Sequence, residues 1–277
     1  LYGKVFNTVK SITERSVQHT GYYFDGLLPN AYGQATNALQ YAHHHCQVFC
    51  AKTGPSAELL RELEVSNLVH EQQTCPTVMR IVTKLELPND RLTLICPYYP
   101  ATVAILPPNE CSLAMLNNVA LCTLASIAAF RNVSKSHNDI KPTNLMLTST
   151  SQLIMLIDFG SAVDFGAGVT SRGTSVFWGR GCPAGTLKYD MACLASVQYS
   201  LHHGDSQDAL DLPQLSEHVQ ALPRRSIIGD MILQCIHRAG EDIGVIFTEW
   251  VDKVASVNDQ LEAGTVVDCL SIFPAPN

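Results

Sequence analysis

The chain has 277 residues, 46% hydrophobic and 16% charged, enough to bury the core of one large or two small domains. Its formal net charge is −7 and no basic run exceeds Arg224-Arg225, which speaks against nucleic acid or an anionic membrane surface as a direct partner. No apolar run approaches membrane-spanning length, and the ten cysteines lie scattered, mostly inside apolar runs, so they read as reduced core thiols of an intracellular protein. A start at Leu1 without a signal-peptide pattern reads as a domain excised from a longer protein.

Taken in order, residues 1–20 form an N-terminal extension, with helix expected from Gly3 to Arg15 because Val5, Val9 and Ile12 share a face. Tyr22 to Thr53 reads as three strands. His43-His44-His45-Cys46 reads as the polar turn of a hairpin rather than a metal site, because no second ligand pair has zinc spacing. Lys52 ends the strand Val48-Phe49-Cys50-Ala51-Lys52 and emerges on one face of it. A helix follows from Ser56, its N-cap, to Val69, with Leu59, Leu60, Leu63, Val65 and Leu68 suited to packing on a sheet. Strands are expected at Val78–Leu87 and Leu92–Pro97, turned by Pro88-Asn89-Asp90. Ser112 to Asn132 is apolar on most sides and predicts a central buried helix.

The stretch from His137 to Gly160, HNDIKPTNLMLTSTSQLIMLIDFG, carries the chemistry. Leu145-Met146-Leu147 and Leu153–Ile157 are short strand-like runs joined by the polar residues Thr148 to Gln152. Such a hairpin brings Asn144, just before it, beside Asp158, just after it. Two oxygen ligands converging there suit a hard cation such as Mg²⁺ carried by a nucleotide. Asp139 is placed to accept a hydroxyl proton, and Lys141 to offset phosphate charge. Beyond Gly160 the stretch from Asp164 to Gly185 is glycine-rich, Lys188 to Leu201 reads as a buried helix, and further helices are expected at Leu215–Leu222, Ile227–Ala239 and Asp242–Val257.

His137-x-Asp139-x-Lys141-Pro142-x-Asn144 followed by Asp158-Phe159-Gly160 resembles the catalytic and metal-binding motifs of the protein kinases, and Lys141-Pro142 resembles the serine/threonine branch. The resemblance implies an α+β fold of two lobes: a small β-sheet lobe with one helix over residues 21–97, then a hinge and a larger helical lobe over residues 98–277. Lys52 would pair the α- and β-phosphates and the helix residue Glu62, with Glu58 or Glu64 as alternatives. The lead from Lys52 to Glu62 is shorter than usual in the family, which leaves a distorted or missing ion pair open. Gly33 would lie on the turn that covers the phosphates, Cys96 at the gatekeeper position and Tyr99 on the hinge, its backbone donor directed to adenine. Asp190 would hold the backbone of the loop at His137. Asn138 stands where the family has Arg, so control by a phosphate on the activation loop is not expected.

Within the family, Asp139–Asn144 with its non-Arg predecessor, Leu156–Asp164 and Gly173-Thr174 resemble the Bub-type mitotic checkpoint kinases, with a divergent member of a kinetoplastid kinetochore as one possibility. Two functions follow. The favoured one is a pseudokinase: a kinase-shaped module binding other protein subunits of a nuclear checkpoint or kinetochore assembly, with no cofactor needed. It is favoured on three grounds: the turn at Pro29–Gly33 retains one glycine and contains a proline that has no N–H to donate, the short lead from Lys52 to Glu62 puts their pairing in doubt, and the substrate-docking region after Gly160 is short and lacks an Ala-Pro-Glu segment. The other is an active serine/threonine kinase using ATP and Mg²⁺.

Overall fold

The computed structural model describes residues 23–27, 38–44, 47–72, 75–106, 111, 113–148, 153–167 and 184–203, together with 248, 249 and 252. The expected helices at Gly3–Arg15, Leu215–Leu222 and Ile227–Ala239, almost all of that at Asp242–Val257, the Pro29–Gly33 turn with Gly33, and Gly173-Thr174 lie outside the described residues. So do the side chains of the histidine run and Cys46; among the described residues no group of three or more His, Cys, Asp or Glu side chains could hold a metal ion. No described helix is long and apolar enough to cross a membrane.

The chain divides into two compact units of mixed helix and strand, one formed within Leu1–Leu68 and Met79–Tyr98, the other within Val69–Val78 and Tyr99–Asn277. The first holds an antiparallel five-stranded sheet of β1 (Tyr23–Leu27), β2 (Ala38–His44), β3 (Gln47–Pro55), β4 (Thr83–Leu87) and β5 (Arg91–Pro97), in the order β1-β2-β3-β5-β4. Ala51, Leu85 and Ile95 form its buried centre, with Phe49 packed against them. The β4–β5 turn places Asn89 and Asp90 in the left-handed region, at φ 61 and 53. Asn and Asp tolerate that region better than most residues, which is why they serve here. The Asp90 carbonyl then accepts the N–H of Ser56 at 3.1 Å, satisfying a donor at the start of helix α1 (Ser56–Gln72).

Helix α1 runs three residues beyond the expected Val69, and its buried stripe differs from the apolar one read from the sequence. Leu59, Glu62, Val65, Ser66 and Val69 are buried, whereas Leu60 is 43% exposed. Two polar side chains account for the rotation. Glu62 is drawn in by Lys52, and the Ser66 hydroxyl accepts the Ile81 N–H at 3.1 Å while reaching the Met79 carbonyl at 3.4 Å. These bonds satisfy backbone groups that would otherwise be buried without partners.

The expected strand Val78–Leu87 is shorter, beginning at Thr83. Val78 instead bridges Leu156 in parallel, in the second unit. Its neighbour Thr77 holds the segment there: the Thr77 carbonyl accepts the Leu156 N–H at 2.8 Å and the Ser126 hydroxyl at 2.9 Å. The second unit is built on α2 (Leu113–Asn132) and α3 (Leu187–His203). Every residue of α2 from Val119 to Phe130 is buried, as its all-round apolar sequence requires. A sheet of β6 (Ala101–Thr102), β8 (Leu145–Leu147) and β9 (Ile154–Leu156), and a pair of β7 (Lys135–Ser136) with β10 (Val163–Asp164), complete it.

Candidate active site

In the first unit the candidate element is an ion pair. Lys52 lies on β3 and Glu62 on the buried face of α1, and Lys52 Nζ meets Glu62 Oε2 at 2.7 Å. The short lead between them does not distort the pair. Strand β3 runs to Pro55 and α1 starts at the next residue, so ten positions still bring lysine and glutamate face to face. Glu64 is exposed on another face, and Glu62 is the partner. Both side chains are largely withdrawn from water, at 15% and 2% exposure, so the attraction acts in a low dielectric and each charge depends on the other. Cys50, two residues before Lys52 on the same face of β3, has its thiol pushed up from 9.0 to about 11 by burial; Lys52 opposes this and Glu62 adds to it.

In the second unit the hairpin forms with Leu145 opposite Leu156, Met146 opposite Met155 and Leu147 opposite Ile154. The Ile157 N–H donates to the Asn144 carbonyl at 3.0 Å, so the residue before Asp158 runs alongside Asn144. Asp158 itself is left-handed, at φ 64 and ψ 76. A non-glycine residue there carries strain of roughly 1 kcal/mol, and strain of that kind clusters at functional sites.

Asp139, Lys141 and Asn144 form one cluster. Lys141 Nζ donates to Asp139 Oδ2 at 2.7 Å, and Asn144 Nδ2 donates to the same oxygen at 3.0 Å and to the Asp139 carbonyl at 2.9 Å. Asp139 Oδ1 is buried and has no hydrogen-bond partner among the described residues. One carboxylate oxygen is thus held by the cluster while the other remains a bare acceptor, the condition a group needs to receive a proton. Asn144 spends its amide hydrogens on Asp139, which leaves its oxygen as the atom suited to a cation.

The loop carrying Asp139 is fastened from outside. Asp190 on α3 accepts the N–H of His137 at 3.0 Å on Oδ2 and that of Asn138 at 2.9 Å on Oδ1. Burial raises the Asp190 pKa, and the two backbone N–H groups that it accepts oppose this. Thr186 caps α3 in front of it, its hydroxyl oxygen accepting the Tyr189 N–H at 3.1 Å. The His137 ring takes the Asp139 N–H on Nδ1 at 3.3 Å and reaches the Ile157 carbonyl with Nε2 at 3.0 Å, so the neutral form with its hydrogen on Nε2 satisfies both. Edge-on against Phe130 and Phe159, with ring centroids 5.3 and 5.9 Å away, it links α2 to the residue after Asp158.

The sequence-derived candidates therefore divide. Lys52 and Glu62 meet in one unit; Asp139, Lys141 and Asn144 meet in the other, with Asp158 alongside. Tyr99 is half-buried at the start of the second unit's main segment. The polar role of Ser66, the aromatic contacts of Phe130 and Phe159 and the part played by the Asn138 side chain escaped sequence reasoning. A serine inside an apolar helical stripe was the one available signal for Ser66.

No protein-family model and no curated protein matches the chain. Among solved structures it is similar to the kinase PK-1 of Cydia pomonella granulovirus, at 16% sequence identity over 85% of this chain and 93% of that one, with a TM-score of 0.64. At that identity the likeness speaks for architecture alone. The chain has the protein kinase fold.

Proposed function

We propose that this chain is a serine/threonine protein kinase domain that transfers the γ-phosphate of ATP with Mg²⁺. The observation that carries the reading is the Lys52–Glu62 ion pair at 2.7 Å, because its doubtful spacing was a main argument against a working phosphate site. In this reading Lys52, oriented by Glu62, pairs the α- and β-phosphates, and Tyr99 offers a backbone donor to adenine. The donors Asn144 and Asp158 are oxygen ligands of the kind Mg²⁺ takes, and they would hold it. When bound, Mg²⁺ would offset charge on the β- and γ-phosphates. Asp139 accepts the acceptor hydroxyl's proton on Oδ1, and Lys141 neutralises charge beside it.

A second reading keeps the sequence argument of Pro29–Gly33, where only Gly33 is glycine. It makes the domain a pseudokinase binding protein subunits of a nuclear checkpoint or kinetochore assembly, as the Bub-type resemblance implies. Thermal unfolding separates the two. Millimolar Mg·ATP is expected to raise Tm by about 5 °C in the wild type and not in Lys52→Ala or Asp158→Ala. Transfer of labelled phosphate to a serine/threonine peptide library is expected for the wild type and absent in Asp139→Asn. A folded wild type with neither shift nor transfer would overturn the kinase reading in favour of the binding module.

A further inference from the structure

We propose that Asn138 is a positioning residue for Asp139, fastening the Asp139 loop to the entry of α3 by a neutral hydrogen bond that needs no added charge; this rests on the reading of Asp139 as proton acceptor. Asn138 is buried, and its backbone is left-handed at φ 64. Asn adopts that conformation more readily than most residues. In this conformation the loop's backbone and the Asn138 side chain make separate bonds. The N–H groups of His137 and Asn138 meet the Asp190 carboxylate, and Asn138 Oδ1 accepts the Gly185 N–H at 3.2 Å.

Gly185 is itself a junction. It is left-handed at φ 72, and a Cβ there would stand 3.2 Å from both the Ala167 carbonyl and a Val163 methyl. Its carbonyl accepts the Gly166 N–H at 3.1 Å. Three pieces of chain, 137–139, 163–167 and 184–190, therefore meet at the Asn138–Gly185 bond. That bond joins an uncharged amide to a backbone group. Among the described residues the Asn138 side-chain oxygen is satisfied by a backbone N–H and carries no charge that would call for a phosphate.

Asn138→Gly tests the joint, because glycine keeps the left-handed backbone and removes only the side-chain acceptor. The expected result is a fall in kcat of about tenfold with the KM for ATP within about twofold, the signature of a misplaced reacting group rather than a lost binding contact. Hydrogen exchange at the Gly185 amide should quicken by about tenfold. Phosphatase treatment of the wild type should leave kcat within about twofold. An unchanged kcat in Asn138→Gly, or a rate lost to phosphatase, would overturn the proposal. If the wild type transfers no phosphate, the kinase reading fails on its own account. The Gly185 amide still decides the joint: unchanged exchange in Asn138→Gly overturns it, and faster exchange supports it.

Discussion

The Lys52–Glu62 pair and the Asp139 cluster are both charged and both largely buried, yet they are built in opposite ways. The pair joins a strand to a helix through a 2.7 Å contact between opposite charges. The cluster lies within six residues of one loop, and what places it is not part of it: Asp190 from α3 on the backbone, the His137 ring against Phe130 and Phe159, and Asn138 on Gly185. A buried pair fails when either member is removed, because the survivor is an uncompensated charge. A loop cluster survives the loss of a member but fails with its anchor. In the proposed reaction, chemistry and stability would be carried by the same residues in one unit and by different residues in the other.

The largest effect expected from that contrast is at Lys52. Lys52→Ala removes the ion-pair partner of a Glu62 carboxylate that is 2% exposed and should cost about 3 kcal/mol in urea unfolding. Lys141→Ala should cost less, about 1–2 kcal/mol, since Lys141 is 28% exposed and Asp139 keeps its Asn144 bonds. Equal costs would remove the distinction. Next is the anchor. Asp190→Ala strips the partner from two buried N–H groups and should cost about 2 kcal/mol. Asp139→Asn should unfold within about 1 kcal/mol of wild type while abolishing transfer. A folded Asp190→Ala as stable as wild type would show that the loop holds itself.

The smallest effect sharpens the description of the first unit. The Cys50 thiol is raised from 9.0 to about 11, so between those values the unfolded chain has lost a proton that the folded chain keeps. Stability is then full below pH 9 and falls as pH rises toward about 11, by roughly 2 kcal/mol. Cys50→Ser should remove that step from the pH profile of unfolding. A profile identical in both proteins would mean the thiol is better solvated than its burial implies.

Much of this was legible in short range. The β8–β9 hairpin, the left-handed Asn-Asp turn, the start of α1 after Pro55 and the buried α2 each follow from local patterns: alternation, turn residues, helix starts and all-round apolarity. The association of Asp139, Lys141 and Asn144 was legible too, because a six-residue loop leaves its side chains few other neighbours. Where the reading went astray, a distant partner intervened. Val78 looked like the start of a strand, but Thr77 had been claimed by Ser126 and Leu156. Leu60 looked like a packing residue, but Glu62 and Ser66 had turned α1 the other way.

By itself, then, the sequence determined which residues are candidates for chemistry and which local elements carry them, since propensity, turn geometry and motif spacing act over a few residues. The tertiary structure alone decided which glutamate pairs with Lys52, which face of α1 is buried, where Thr77 and Val78 belong, and that Asn138 meets Gly185. These are settlements among buried polar groups far apart in the chain. Each must find a partner once water is excluded, and which partner lies within reach depends on packing that no local pattern records.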